Sequence, residues 1–283
     1  MSTLTRRERG LGKQLWPVVA YLLMIAIAVY AVFPYYWMLK TSLETATSLY
    51  QFPPSLVPSP VTLKNYRTVW ENFNLGRFFL NSVIITGAGV VLSVFIAALF
   101  AYPLARFQFP GRKVIFFLVL LPMMVPLQGT FILNFLTTRA LGMVNTYAGV
   151  VIPNAVSLFG IFLLRQAYLG IPRDFEDAAA IDGASEFYTW WRIMLPMIKP
   201  SLATLALFQF LGFWNNFLWP LVVLQDPEMY PLSVGLLYLN NSFQTNFRNV
   251  AAGAVIATIP VILLLAFLQR YMVKGLTAGG VKY

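Results

Sequence analysis

The chain has 283 residues, of which 59% are hydrophobic and only 11% are charged, and its formal net charge is +10. This composition leaves too little polar sequence for a water-soluble domain and indicates a membrane protein. Cysteine and histidine are both absent, which excludes disulfides, thiol redox chemistry and the usual zinc sites. We assign the positive charge to loops that face anionic lipid headgroups rather than to nucleic-acid binding.

Six apolar runs are each long enough to cross a bilayer as a helix, which takes roughly 20 residues. They cover residues 16–39, 78–102, 114–136, 147–164, 202–224 and 250–271. Helices are expected because backbone groups in lipid must bond within their own segment, and the alternating pattern of a membrane barrel is missing. We therefore predict an all-α, polytopic membrane protein with one transmembrane domain over residues 1–283.

The first run is a retained span rather than a signal peptide, because its apolar core is about 24 residues long against roughly 7 to 15 for a signal. With a cytoplasmic N-terminus, fourteen of the 20 lysines and arginines lie in inner segments and six in outer segments. Basic loops stay on the cytoplasmic side. The sequence therefore predicts that both termini are cytoplasmic.

In this topology, two long outer loops contain segments that are expected to be ordered. Residues 40–77 contain a proline-rich stretch and then a short amphipathic helix, TLKNYRTVWENF, suited to the membrane interface. Residues 225–249 carry a short apolar core. This second loop is expected either to fold back towards the bundle or to meet an external partner.

Small residues recur along the second run at steps of three and four, which favours close helix packing over pore lining. They are Ser82, Thr86, Gly89, Ser93 and Ala97. Four prolines within later runs predict kinks or breaks, because each removes a backbone hydrogen bond. They are Pro122, Pro126, Pro153 and Pro260.

The fifth run is the most polar. Its amides and tryptophan suit a solute rich in hydroxyl groups, because polyols need both hydrogen bonds and a flat apolar face. These pathway candidates are Gln209, Trp214, Asn215 and Asn216. Amides in membrane helices also bond neighbouring helices, and that alternative stays open.

The sequence lacks an energy source of its own. Its Gly12-Lys13 pair does not have the spacing of a phosphate-binding loop, and no acidic residue lies in the core of any span, where ion-coupled transporters place one. No catalytic residue or metal ligand is predicted. A transporter of this kind must receive its energy from another protein.

Half of the ten acidic residues fall within thirteen positions of the stretch between the fourth and fifth runs, residues 174–196. Asp174 is expected to cap a helix over residues 175–182, with Glu176 and Asp177 in its favourable first turn. Gly183 then supplies a left-handed stop. A helix of about two turns is too short to be stable alone, which indicates a partner surface.

A second short helix of this hairpin begins at Ser185 as its cap and closes at Leu195-Pro196. It carries Trp190 and Trp191, which are expected at membrane-interface depth. On these features alone, a solvated loop whose charges keep it out of lipid is an equally good interpretation.

The spacing within the hairpin resembles the cytoplasmic motif of the membrane subunits of binding-protein-dependent ABC importers, EAA, three residues, G, nine residues, then I-x-L-P. The matching residues are Asp177, Ala178, Ala179, Gly183, Ile193, Leu195 and Pro196, with Asp177 in place of the usual Glu. Asp182 lies beside the glycine. WNNFLWP, residues 214–220, is similar to the fifth-span motif of the carbohydrate-uptake class.

The end of the chain, residues 275–283, resembles the C-terminal tail of the smaller permease of maltose-type importers, which reaches between the ATPases. Its candidate residues are Gly275, Leu276, Thr277, Gly279 and Gly280, whereas the final Tyr283 departs from the family's glycine. The resemblance implies a multi-pass subunit of the cell (inner) membrane that carries a carbohydrate or carbohydrate-like solute.

The partners implied by the resemblance are a homologous second permease, two ABC ATPase subunits, an extracytoplasmic solute-binding protein and membrane lipid. No cofactor is expected in this chain, since ATP and Mg would bind to the ATPases. The alternatives are an importer of a phosphate ester, osmolyte or amino acid, an ATPase-independent secondary transporter, and a membrane assembly factor.

Overall fold

The computed structural model describes residues 11–46, 52–241 and 246–278, and the regular secondary structure in these ranges is helical. The helices are α1 (Leu11–Ser42), α2 (Lys64–Asn72), α3 (Leu75–Arg106), α4 (Arg112–Leu120), α5 (Leu127–Ala140), α6 (Tyr147–Val151), α7 (Leu158–Leu169), α8 (Asp174–Ile181), α9 (Glu186–Met197), α10 (Lys199–Trp214), α11 (Leu218–Val223), α12 (Leu232–Asn241) and α13 (Phe247–Ala278).

Among the described residues, three single helices are long and apolar enough to cross a membrane, namely Trp16–Ser42, Leu75–Arg106 and Phe247–Phe267. Up to six spans result if three bent helix pairs each count as one. The pairs are Arg112–Met124 with Gly129–Ala140, Tyr147–Asn154 with Leu158–Leu169, and Glu186–Met197 with Lys199–Trp214. The all-helical prediction is confirmed, and the six predicted spans correspond only in part to single helices.

Prolines account for two of the breaks. Pro122 lies in a 3₁₀ turn, Leu121–Met124, and Pro126 immediately precedes α5. Pro153 lies in the 3₁₀ turn Ile152–Asn154, where the pair formed by α6 and α7 bends by 49°. The third and fourth predicted spans are therefore not continuous, as expected from the lost N–H donors. Pro260 does not interrupt α13.

The fifth predicted span, residues 202–224, is also wrong as a continuous helix. The helix stops at Trp214, and α11 begins only at Leu218. Pro220 explains the interruption, because its ring would collide with the carbonyl of Asn216 if the helix continued, and it has no N–H to donate. The preceding pair, α9 and α10, bends by 79°.

The chain separates into two compact units, one of Met1–Val69 with Asn246–Val255 and one of Trp70–Thr245 with Ile256–Tyr283. In the first unit, Lys40 and Glu44 form a buried ion pair with 2.6 Å between Nζ and Oε1. Asn65, on the predicted amphipathic helix α2, donates from Nδ2 to the carbonyls of Ser42 and Glu44 at 2.9 Å. A single transmembrane domain over residues 1–283 stays a prediction.

The core of the second unit is formed where α3 packs against α7 and α10. The small-residue stripe of α3 is buried there, which confirms the packing interpretation of that stripe. At Gly89, a Cβ atom would come within 2.6 Å of the Phe213 ring on α10. A side chain at position 89 would collide with Phe213, so glycine allows α3 to lie this close to α10.

We predict that Gly89→Val lowers the free energy of unfolding by about 1–3 kcal/mol, because the added side chain overpacks the contact with Phe213. Gly87→Val is the matched control, since Gly87 lies on the exposed side of α3 with no atom within 4 Å of its Cβ position. Thermal unfolding of the purified chain in detergent measures both. Equal midpoints for the two variants would contradict the predicted contact.

The second predicted outer loop, residues 225–249, folds back onto α3. Asn81 donates from Nδ2 to the carbonyls of Glu228 and Tyr230, at 2.7 and 2.9 Å. The N–H of Leu232, at the start of α12, donates to Ser82 Oγ at 2.6 Å. These hydrogen bonds agree with the first of the two expectations for this loop, that it folds back towards the bundle.

Candidate functional site

The acidic hairpin, residues 174–196, consists of α8, a glycine turn and α9. Gly183 has φ +76°, in the left-handed region predicted for it. The N–H of Ala184 donates to the Ala179 carbonyl at 2.9 Å, and the N–H of Gly183 donates to the Ala180 carbonyl at 3.1 Å. These two bonds form a Schellman motif, which closes α8 and fixes the direction of the chain after it.

The beginning of α8 differs from the prediction. Asp174 is the first helical residue rather than the cap, and no side chain caps this end of the helix. The helix starts one residue earlier because the Arg173 carbonyl already accepts from the N–H groups of Glu176 and Asp177, at 2.8 and 3.1 Å. The acidic first turn is confirmed, and it still opposes the positive end of the helix dipole.

The second helix of the hairpin begins as predicted, with Ser185 Oγ accepting from the N–H of Tyr188 at 3.3 Å. It continues through a π-helical stretch, Thr189–Met194. Trp190 is buried in the core, and its Nε1 donates to Tyr168 Oη at 3.0 Å, whereas Trp191 is half exposed. Trp190 therefore faces α7, and the interfacial depth expected for the two tryptophans stays a prediction.

Helix α8 presents two different faces. Asp174, Asp177, Ala178 and Ile181 lie at spacings of three and four residues and are all exposed, with Ile181 at 87%. We call these four residues the outer face of α8. Ala179 and Glu176 lie on the opposite side, where Ala179 is 5% exposed. An eight-residue helix thus displays a small apolar surface bordered by carboxylates.

The predicted motif residues divide between surface and core. Asp177, Ala178, Asp182, Gly183 and Pro196 are exposed, whereas Ala179 is buried. Ile193 and Leu195 are half buried, and Leu195 packs against the core cluster that contains Met194 and Ile198. The first part of the motif therefore offers a contact surface, and the second part attaches the hairpin to the bundle.

A polar anchor under α8 was missed by the sequence reasoning. Glu176 accepts a hydrogen bond from Tyr102 Oη at 2.9 Å and pairs with Arg106, 3.2 Å from Nε to Oε2. Arg106 also donates from a terminal nitrogen to the Ile171 carbonyl at 2.7 Å. Tyr102 and Arg106 lie on the last turn of α3, one helical turn apart, which is a signal that could have suggested a shared partner.

A cavity of about 260 Å³ opens beside this anchor. Its charged lining comes from Arg106, Arg173, Glu176, Asp177 and Glu186. Three carboxylates therefore face two guanidinium groups, which leaves the cavity with an excess of negative charge. Such a lining suits the approach of a basic side chain.

The predicted pathway residues cluster at the break between α10 and α11. Trp214 is buried, donates from Nε1 to the Ala257 carbonyl at 3.0 Å and stacks on Phe210. Gln209 donates from Nε2 to Ser157 Oγ at 2.6 Å. Asn216 Oδ1 accepts from the N–H of Trp219 at 3.4 Å, whereas the Asn215 side chain is exposed. Of the four residues, Asn215 is the one whose side chain is exposed.

The C-terminal prediction falls only partly within the described residues. Gly275, Leu276 and Thr277 belong to the backbone of α13, which ends at Ala278. Gly279 and Gly280 lie outside the described residues. The role of the tail stays a prediction.

Residues 89–278 match the family model of the binding-protein-dependent transport system inner membrane component. The arabinooligosaccharides transport system permease protein AraQ of Halalkalibacterium halodurans is 39% identical over 272 residues, which cover 94% of this chain and 98% of that protein. The sn-glycerol-3-phosphate transport system permease protein UgpE of Brucella abortus is 31% identical and covers 92% of this chain and 95% of its own length.

A solved structure has the same fold. A chain of a bacterial ABC transporter involved in the import of the acidic polysaccharide alginate superimposes with a TM-score of 0.83 and 26% identity. The match covers 96% of this chain and 99% of that chain. The similarity extends over nearly the whole molecule.

Proposed function

Because the chain belongs to the family of inner membrane components of binding-protein-dependent transport systems, we propose that it forms half of the translocation pathway of an ATP-driven importer. The solute is a carbohydrate or carbohydrate-like molecule. The chain itself catalyses no reaction, and ATP is hydrolysed, with Mg, by partner subunits. The observation that carries this proposal is the outer face of α8, an exposed face on a helix too short to be stable alone.

Coupling to the ATPases takes place at the outer face of α8. Ala178 carries only a methyl group, which lets a partner surface approach the helix backbone closely, and Ile181 offers an exposed apolar side chain for a groove. Asp174 and Asp177 at the edge of this face complement basic groups on the partner. When ATP closes the pair of ATPases, a seated α8 transmits that movement to the bundle.

The orientation that this role requires has both termini and the hairpin in the cytoplasm. Fourteen of the 20 lysines and arginines lie on that side in this topology, which agrees with the usual distribution of basic residues. The loop that bears Glu228 then faces the extracytoplasmic solute-binding protein. The protein is accordingly a multi-pass component of the cell (inner) membrane.

The remaining partners complete the assembly. A second, homologous permease supplies the other half of the pathway, and two ATPase subunits bind the two coupling hairpins. The tail after Gly275 extends towards the ATPases, as in the maltose-type importers that it resembles. The relatives named above support a carbohydrate through the arabinooligosaccharides of AraQ and the alginate of the solved transporter.

The break between α10 and α11 is the proposed point of contact with the solute. A helix end inside the membrane leaves backbone carbonyls without helical partners, and such a break is tolerated where it lines a cavity. The exposed amide of Asn215 adds a donor and an acceptor for sugar hydroxyl groups. Gln209 and Asn216 support the break through their own hydrogen bonds.

The function is tested by uptake into proteoliposomes that contain this chain, the second permease and the ATPases, with binding protein outside the membrane and ATP enclosed. Radiolabelled arabinooligosaccharide, alginate oligosaccharide and sn-glycerol 3-phosphate serve as probes. We expect ATP-dependent uptake of an oligosaccharide. Uptake of sn-glycerol 3-phosphate alone would favour the phosphate-ester alternative, which the similarity to UgpE supports. Uptake that persists without the ATPases would contradict the proposal.

Asn215→Ala should raise the KM of uptake about fivefold to tenfold, which corresponds to the loss of roughly one hydrogen bond of 1–1.5 kcal/mol. Its effect on ATP hydrolysis without solute should be small. Asn154→Ala is the matched control, because the Asn154 amide donates to the Val150 carbonyl within its own turn. An unchanged KM for Asn215→Ala would remove this residue from the pathway.

A further inference from the structure

The attachment of α8 to the bundle depends on few side chains. Ala179 is the one residue of this helix that is fully buried, and its methyl group contributes little packing. The half-buried Glu176 is the other inward residue, and it accepts a hydrogen bond from Tyr102 Oη and forms an ion pair with Arg106. Because a hydrogen bond to a charged acceptor is roughly twice as strong as a neutral one, and the ion pair adds to it, Glu176 is the main side-chain attachment of α8.

Arg106 holds the chain on both sides of the turn that leads into α8. Its terminal nitrogen reaches the Ile171 carbonyl before the turn, and its Nε faces Glu176 after the turn. The Arg106 side chain is only 6% exposed, so water competes weakly with this hydrogen bond and this ion pair. The start of α8 is therefore fixed relative to the end of α3 at two points.

Helix α3 continues from this anchor to the contact with α10. Gly89, which packs against Phe213, lies 13 residues before Tyr102, or about 20 Å along the helix. Phe213 is two residues before Asn215, at the break between α10 and α11. A movement of α8 that is passed to α3 through Glu176 thus has a direct mechanical route to the proposed solute contact.

Resting on the permease function proposed above, we infer that Glu176, Tyr102 and Arg106 form a positioning anchor that makes α3 the lever between the coupling hairpin and the solute pathway. Glu176 is a positioning residue, since it faces away from the outer face of α8. Without the anchor, α8 still binds its partner, but its movement is absorbed by tilting of the loosened helix. ATP hydrolysis then continues with less solute moved per ATP.

The test uses the complete reconstituted transporter with Glu176→Gln, Arg106→Gln and the double variant. The readouts are oligosaccharide taken up per ATP hydrolysed and hydrogen exchange of the backbone amides in residues 174–184. Each single variant should lower the uptake per ATP about fivefold or more and speed the exchange of those amides. The double variant should be no worse than either single one, because residues that act through one contact are not additive.

Arg192→Gln is the control for loss of a positive charge, because Arg192 is exposed on α9 and outside the anchor. Tyr102→Phe keeps the ring volume and removes a single hydrogen bond, so it tests the anchor if the charge variants assemble poorly. It should lower the uptake per ATP about twofold or more, because it removes the hydrogen bond to the charged Glu176 carboxylate.

Wild-type uptake per ATP in Tyr102→Phe and Glu176→Gln would overturn the anchor, as would single effects that multiply in the double variant. Such a result leaves the permease function intact, since the wild-type complex still pumps. A wild-type complex without ATP-driven uptake would instead contradict the permease function, and the anchor with it.

Discussion

Replacing Gly183 by valine should reduce ATP-driven uptake and stimulated ATP hydrolysis at least tenfold while the chain still inserts in the membrane. Gly183 has φ +76°, which a β-branched residue adopts at a cost of about 1–2 kcal/mol. Among the described residues, nothing beyond its chain neighbours lies within 4 Å of its Cβ position, so the strain is in the backbone and the new side chain points into open space. Loss of the Schellman motif would redirect α9 relative to α8.

Two variants separate this effect from general damage. Gly183→Asn should retain most activity, because asparagine enters the left-handed region more readily than other residues. Gly111→Val imposes similar strain at φ +81° in another loop, where its Cβ position is also free. Uptake should stay within about twofold of wild type in Gly111→Val. Normal uptake and stimulated ATP hydrolysis in Gly183→Val would remove the turn from the coupling mechanism.

The substitution Ile181→Asp should abolish co-purification of the ATPase with this chain. Ile181 is 87% exposed on the outer face of α8, so the change removes little contact within the chain. Burying an isoleucine side chain contributes about 1.5–3 kcal/mol to binding, and burying an unpaired carboxylate costs several kcal/mol more. The combined loss corresponds to a decrease in affinity of about 100-fold or more.

Leu141→Asp is the matched control for that experiment. Leu141 is 66% exposed in the loop after α5, and the change in chemistry is the same. Pull-down of the ATPase through a tag on this chain, followed by ATPase assay of the eluate, compares the two variants. Retention of the ATPase by Ile181→Asp would show that α8 docks by a different face.

Much of the fold was predictable because its determinants are local. Apolar runs of sufficient length predicted the membrane helices, Gly183 predicted the left-handed turn, and Ser185 predicted the start of α9. The small-residue stripe that includes Gly89 predicted close packing of α3. Each of these features depends on residues a few positions apart in sequence, where helix geometry and glycine or serine chemistry determine the outcome.

The errors concern features that depend on distant residues or on competition between close alternatives. Asp174 was expected as a cap, but the chain gains one more helical residue by starting at the Arg173 carbonyl. The break after Trp214 was missed, although Pro220 four residues after Asn216 should have predicted it. The contact of Trp190 with α7 was also missed, because the sequence alone does not reveal that Tyr168 accepts its N–H.

The contacts of Glu176 with Tyr102 and Arg106 could not be predicted from the sequence. Glu176 is 74 residues from Tyr102 in the chain. Its position in the first turn of α8 suggested only a favourable interaction with the helix dipole. The inward direction of its side chain became evident once exposure separated Glu176 and Ala179 from the outer face. To predict a contact between the ends of α3 and α8, the relative positions of the two helices in space must be known.

The docking of α8 on an ATPase is tested most directly by photocrosslinking in membranes. The chain contains no cysteine, so a single cysteine introduced at Ile181 can carry a benzophenone maleimide without competing sites. In cells that express the whole transporter, we predict an adduct whose second component is the ATPase subunit, and none from a probe at Leu141. The absence of that adduct from Ile181, or an equal yield from Leu141, would contradict the proposed coupling site.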